Sequence, residues 1–177
     1  MRMETIALAL TAAAIAAPAF GDEINLPARK PGEWQIVMSI ASHQVTTDQC
    51  IDADTDKEMM QSSFAKAGEK CSNISQSNNG GTITIDATCA LNGGITAKSH
   101  TVITGDFQSA YTVDIVSDMT GGPAQMPKHS EIKQNVSWVG ACPAGMKPGD
   151  ITMQGVPGLP PGFKINPALL QGTKPPG

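Results

Sequence analysis

The chain has 177 residues, and its 12 basic and 16 acidic side chains give a net charge of −4 at pH 7. An acidic chain without a cluster of Lys and Arg is not expected to bind nucleic acid, because that binding needs grouped positive charges to neutralise phosphates. Aromatic residues make up 4% of the chain, so we expect a modest hydrophobic core that benefits from covalent support.

The N-terminus has the pattern of a secretory signal peptide. An apolar run over residues 5–17 leads into Ala17-Pro18-Ala19, a small-x-small pattern that signal peptidases recognise. The run is shorter than the roughly 20 residues that cross a bilayer. We therefore expect a signal peptide over residues 1–19, cleavage between Ala19 and Phe20, and no transmembrane anchor in the mature protein.

The first part of the mature chain predicts two strands. Residues 20–30 form a polar lead-in, and a domain is expected to begin at residue 31. Residues 33–40 then alternate between apolar and polar, with Trp34 and Ile36 on one face, which is typical of a half-buried antiparallel strand. Residues 45–51 are expected to return as a shorter strand.

Three acidic residues at alternate positions, Asp52, Asp54 and Asp56, resemble the first ligands of an EF-hand calcium loop. That loop also needs glycine at its sixth position and a bidentate acid at its twelfth, and here those positions hold lysine and serine. We therefore interpret the segment as a helix start, in which Thr55 and Glu58 form a capping box.

The rest of the domain predicts an antiparallel meander. Residues 71–89 have the pattern of a β-hairpin with an Asn79-Gly80-Gly81 turn. Further strands are predicted over residues 95–104, 107–119 and 131–141. The predicted fold class is mainly β with one helix, forming a small barrel or a strongly curved sheet of about seven strands.

Four cysteines in an exported chain favour two structural disulfides, and the absence of Cys-x-x-Cys gives no support to a redox motif or a zinc ribbon. Cys71 and Cys89 lie symmetrically about Gly80, so a hairpin would place them opposite each other. The last strand would then bring Cys142 near Cys50. The alternative pairs Cys50 with Cys71 and Cys89 with Cys142.

The composition changes after residue 142. Residues 143–177 contain eight Pro and seven Gly and few large apolar side chains. Such a segment buries too little apolar surface to offset the entropy lost on ordering. We expect a flexible or extended tail, with a contact to the domain through Phe163.

Pro31-Gly32-Glu33-Trp34 resembles the opening strand of exported bacterial proteins grouped as domain-of-unknown-function family 3617 (DUF3617). The order of the later motifs is also similar to that of the family. A cysteine precedes an acidic helix start, a cysteine-flanked hairpin follows, and the final strand ends in Gly-x-Cys. The resemblance covers residues 31–142. It implies a periplasmic or secreted protein of a Gram-negative bacterium and assigns no activity, cofactor or functional residues.

Motifs of catalysis are absent from the sequence, which holds no nucleophile elbow, metalloprotease helix or phosphate-binding loop. Of the three histidines, His100 is expected on a solvent-exposed strand face, and His43 lies at a turn. The third, His129, is a candidate for copper binding together with Met119 and Met126, since thioether and imidazole groups suit copper. Met146 and Met153 are the further thioethers of that hypothesis.

These observations predict a non-catalytic exported protein without a cofactor. Its disulfide-stabilised β domain is expected to bind a small apolar ligand or an envelope partner, because a small barrel can hold a ligand. The alternatives are a periplasmic copper-binding protein and a structural envelope protein without a ligand.

Overall fold

The computed structural model describes residues 24–40, 43–68 and 70–166. The predicted signal peptide and residues 167–177 of the predicted tail lie outside the described residues. Within the described residues the chain forms nine strands and one helix. They are β1 (Gly32–Ile40), β2 (His43–Ile51), α1 (Ala53–Gly68), β3 (Cys71–Asn79), β4 (Thr82–Leu91), β5 (Ile95–Asp106), β6 (Ala110–Thr120), β7 (His129–Gly140), β8 (Ile151–Gln154) and β9 (Phe163–Ile165).

All nine strands belong to one antiparallel sheet in the order β3-β4-β5-β6-β7-β1-β2-β8-β9. The mainly β fold with one helix is confirmed. The sheet is open, with β3 and β9 at its edges, and is not closed into the barrel that was one of the two predicted forms. It also has two strands more than the predicted seven, because the chain beyond residue 142 adds β8 and β9.

One face of the sheet, which we call the inner face, carries the core. Trp34, Ile51 and Val136 form one buried cluster, and a second centres on Ile83 and Ile103. Strand alternation explains this distribution, since residues two apart point to the same face. Tyr111 joins the clusters: its ring lies 5.8 Å from that of Trp34 and 4.4 Å from that of Phe107.

The structure contains the disulfides Cys50–Cys142 and Cys71–Cys89, which are the favoured pairing of the sequence analysis. Cys71 and Cys89 are directly paired across β3 and β4. Strand β7 runs antiparallel to β1, and this brings the chain after β7 back to the end of β2, as the predicted approach of Cys142 to Cys50 requires. The two disulfides therefore close the hairpin and fasten the start of the C-terminal segment to the end of β2.

The helix begins three residues earlier than the sequence indicated. Asp52, and not Thr55, is the N-cap: its Oδ1 accepts a 2.8 Å hydrogen bond from the Thr55 amide, and Thr55 Oγ1 accepts a 2.9 Å bond from the Asp52 amide. The shift occurs because Asp caps as well as Thr, and the shorter spacing lets the helix start directly after β2. In the described ranges, no helix has the length and apolarity that a membrane crossing requires.

The C-terminal segment differs from the predicted flexible tail over residues 143–166. Strand β8 pairs with β2, and β9 pairs with β8 and includes the expected contact residue Phe163. The segment is ordered by polar anchors, which composition does not reveal. Asp150 accepts hydrogen bonds from the Lys147 amide and from Asn166, and its Oδ2 lies 2.6 Å from Lys164 Nζ. The backbone around Cys50 also exchanges hydrogen bonds with Gly149 and Asp150.

Candidate functional site

Residues 24–31, which we call the N-terminal strap, cross the inner face of the sheet. At the β3 edge, the Asn25 amide donates a 2.8 Å hydrogen bond to Gln76 Oε1, and Gln76 Nε2 donates a 2.9 Å bond to the Asn25 carbonyl. Farther along the strap, the Lys30 amide donates a 3.1 Å bond to the Phe107 carbonyl. The strap is therefore held at both ends and continues directly into β1.

The Pro-Gly-x-Trp motif forms the junction between the strap and β1. Trp34 Nε1 donates to the Lys30 carbonyl at 2.7 Å, and Trp138 Nε1 donates to the Pro31 carbonyl at 3.0 Å. Gly32 has a φ of +131°, and a Cβ at this position would lie 2.6 Å from Trp138 Nε1. The motif thus needs glycine at residue 32 because Trp138 approaches its backbone closely, and it needs Trp34 because the indole donates a hydrogen bond to the strap.

A buried ion pair joins the strap to the helix. Arg29 is 7% exposed and Asp56 is 2% exposed. Arg29 Nε and Nη2 lie 2.8 and 2.7 Å from Asp56 Oδ1, and the Arg29 amide donates a 3.0 Å bond to Oδ2. Arg29 Nη1 also donates to Gln49 Oε1 at 3.0 Å. Both charges are therefore compensated, which burial requires.

A cleft of about 490 Å³ lies between the strap and α1. Its volume falls within the roughly 300–1,000 Å³ of small-molecule sites. The helix supplies residues at the i, i+3, i+4, i+7 and i+8 spacing of one helical face. The lining residues are Ile24, Asn25, Leu26, Pro27 and Ala28 of the strap and Ala53, Asp56, Lys57, Met60 and Gln61 of the helix. The cleft is thus built by the two elements that the Arg29–Asp56 pair joins.

A larger depression of about 810 Å³ includes outer-face residues of β6 and β7. Asp114 and Lys133 form an exposed ion pair of 3.2 Å there, beside His129 and Glu131. Among the described residues, strands of the one sheet and the loop after β6 provide its lining, whereas the cleft is lined by two different elements. The cleft between the strap and the helix is therefore the better-enclosed candidate site.

His129, a candidate copper ligand, lies at the start of β7 with both ring nitrogens engaged. Nδ1 is 2.8 Å from Asp118 Oδ1, and Nε2 is 3.1 Å from Glu131 Oε1. These hydrogen bonds, with Asp118 as the larger cause, raise the pKa of His129 above its ordinary value. Each ring nitrogen thus faces a carboxylate oxygen, whereas a metal ligand needs a free nitrogen lone pair.

The structure does not bring the candidate methionines into one cluster. Met119 lies on β6 and Met126 in the following loop, whereas Met153 lies on β8. Strands β7, β1 and β2 separate β6 from β8, a distance of roughly 19 Å at about 4.8 Å per strand. Met146 precedes β8. Among the described residues, no group of three or more His, Cys, Asp or Glu has a metal-binding arrangement.

The other two histidines lie apart from the cleft. His100 is exposed on the outer face of β5, as expected, and its Nδ1 lies 2.7 Å from Asp86. His43 is exposed at the start of β2.

Sequence reasoning missed the strap and the ion pair. Residues 24–30 of the predicted polar lead-in belong to the strap, and nothing local in the sequence indicates that Arg29 is buried. One signal existed: Asp56, Met59 and Met60 share a helical face, so Asp56 falls on the buried stripe of the helix and needs a cation. Arg29 contacts it from 27 residues away.

A family model matches the part of the chain that holds β1 to β7. The model of the family described as Protein of unknown function (DUF3617) matches residues 29–142, which run from the buried Arg29 to Cys142 of the Cys50–Cys142 disulfide and do not include β8 and β9. No curated protein and no solved structure matches the chain. The chain belongs to the DUF3617 family.

Proposed function

We propose that this protein is an exported, non-catalytic binding protein that holds a small apolar ligand in the cleft between the N-terminal strap and α1. The single observation that carries the proposal is the cleft itself, about 490 Å³ in volume and lined by Ile24, Leu26 and Met60 among others. Six of its ten lining residues are apolar and four carry polar groups that can orient a ligand, and small-molecule sites combine these two kinds of residue.

Export is supported by three observations. Both disulfides are compatible with an oxidising compartment such as the periplasm. The N-terminal sequence predicts a signal peptide, and the family resemblance implies a periplasmic or secreted location. We therefore place the binding function in the cell envelope of a Gram-negative bacterium.

A non-catalytic role is supported by the state of the carboxylate in the cleft. Asp56 accepts hydrogen bonds from the amide and the guanidinium of Arg29, and both residues are buried. A general base must be able to reach a proton of the substrate. Asp56 is instead committed to holding the strap against the helix.

The test uses N-phenylnaphthylamine, a neutral apolar dye that fluoresces in apolar sites, with the purified mature protein. Met60→Glu places a charge in the cleft, and we expect it to weaken dye binding at least about tenfold, because a carboxylate is costly in an apolar site. Met126→Glu is the matched control, since Met126 is also half-buried but lies in the loop after β6. Equal dye binding by both variants and the wild type would refute the proposed site.

A further inference from the structure

The two walls of the cleft run in opposite directions. The strap starts at the β3 edge, where Asn25 bonds Gln76, and reaches the helix start at the Arg29–Asp56 pair. The helix begins directly after β2 and extends toward β3, with which it is in contact. The first strap residues therefore lie along the later part of the cleft, near Met60. The helix stretch from Ala53 to Gln61 is about 12 Å long at 1.5 Å per residue.

The two ends of the cleft differ in chemistry. Ile24, Leu26 and Met60 give the β3 end apolar side chains, and Leu26 also packs on the core cluster around Ile83. One helical turn before Met60, toward the helix start, stands Lys57. A ligand that fills the cleft would thus meet the apolar side chains of the β3 end, with the amides of Asn25 and Gln61 beside them, and the ammonium group of Lys57 toward the helix start.

Lys57 supplies the net charge of the cleft. The carboxylate of Asp56 is neutralised by Arg29, so it does not compete for the ammonium group. Asp54 and Glu58 are the nearest other acids in sequence, but both are exposed and neither lines the cleft. Among the described residues Lys57 forms no ion pair, in contrast to Lys133 and Lys164. Among the described residues that line the cleft, Lys57 therefore carries the one charge without an opposite partner.

We infer that the ligand is an anionic amphiphile with a single alkyl chain, whose head group binds Lys57 and whose chain lies between Leu26 and Met60. This inference rests on the proposed function, and it adds the chemical class of the ligand and its orientation. An elongated cleft with an apolar end and one cation is complementary to such a molecule.

The experiment measures displacement of N-phenylnaphthylamine from the mature protein by decanoate and by decanol, which share a chain and differ in the charge of the head group. We expect Lys57→Ala to weaken the binding of decanoate about threefold to fivefold, the size expected of one solvent-exposed charge pair, and to leave the binding of decanol unchanged. Added salt should weaken decanoate in the wild type and have little effect in the variant. Lys98→Ala is the control, because Lys98 is exposed on the outer face.

The outcomes separate the two proposals. Selective loss of decanoate affinity in Lys57→Ala supports the inference. If Lys57→Ala changes the affinities for decanoate and decanol equally, or changes neither, the inference is overturned. The proposed function is still upheld in that case if both compounds bind in the cleft. If neither compound displaces the dye and Met60→Glu leaves dye binding unchanged, both proposals fail. Circular dichroism of Lys57→Ala should match that of the wild type, since alanine favours the helix.

Discussion

The buried pair of Arg29 and Asp56 gives the sharpest prediction about stability, because it holds the strap to the helix. Asp56→Ala leaves a guanidinium that is 7% exposed without its carboxylate, and it also removes the acceptor of the Arg29 amide. Breaking a buried ion pair costs about 3–5 kcal/mol. Arg29 would keep its 3.0 Å bond to Gln49 and its position 5.9 Å from the Trp34 ring centroid, so we expect a cost at the lower end of this range.

We therefore expect Asp56→Ala to lower the free energy of unfolding by about 3 kcal/mol and the Tm by about 10 °C. Arg29→Met should lower the free energy of unfolding by at least as much, since it leaves a buried carboxylate without a cation. The double variant Arg29→Met/Asp56→Leu should lie within about 1 kcal/mol of the wild type, because apolar residues replace both charges.

The assay is urea unfolding at pH 7 with both disulfides intact, followed by tryptophan fluorescence, to which the buried Trp34 contributes. The double-mutant cycle of Arg29→Met, Asp56→Leu and the variant that combines them should give a coupling energy of at least about 2 kcal/mol. Single variants within about 1 kcal/mol of the wild type, or a double variant whose loss equals the sum of the two single losses, would refute the structural role of the pair.

Three further predictions concern other parts of the sheet. Gly32→Ala should lower the free energy of unfolding by more than about 1 kcal/mol in the same urea assay, because φ is +131° and the new methyl group meets Trp138; an unchanged midpoint would contradict this. Asp118→Asn should move the pKa of His129 back toward 6.5 in an NMR titration, since the Asp118 hydrogen bond is the largest cause of the raised pKa. The stabilisation by this bond is present below pH 6.5 and is lost as pH rises through the raised pKa. An unchanged pKa of His129 in the variant would contradict this prediction. Lys164, followed by the Lys147 amide and Asn166, lowers the pKa of Asp150 to about 2, so the stabilisation is present above pH 3.8 and lost as pH falls through about 2. Lys164→Ala should therefore speed amide exchange in β8 relative to the wild type more at about pH 5 than at about pH 2, and the same variant-to-wild-type ratio at both pH values would argue against the anchor.

Local pattern was sufficient to predict most of the sheet. Alternation over residues 33–40 predicted β1, which spans Gly32–Ile40, and the symmetry of Cys71 and Cys89 about Gly80 predicted their pairing across β3 and β4. Such features depend on neighbours that are close in sequence or fixed by strand period. The prediction of family membership rested on the same short motifs and is confirmed.

Features that depend on distant partners were not predicted. Residues 143–166 have a loop-like composition, and they are ordered by Asp150 and by pairing with β2, neither of which composition reveals. The candidate site depends on a contact between Arg29 and Asp56, which are 27 residues apart. The proposed copper site grouped methionines by their proximity in sequence, but the sheet places Met119 and Met153 on strands that are four positions apart.

The central claim is that the cleft between the strap and α1 holds an apolar ligand, and native mass spectrometry of the protein tests it most directly. The wild type and Met60→Glu would be purified without detergent from the envelope fraction of the organism's own cells. We predict that the wild type carries an additional non-covalent mass, which organic solvent extracts, and that Met60→Glu carries much less of it. The bare polypeptide mass in both proteins, or the same bound mass in both, would contradict the claim.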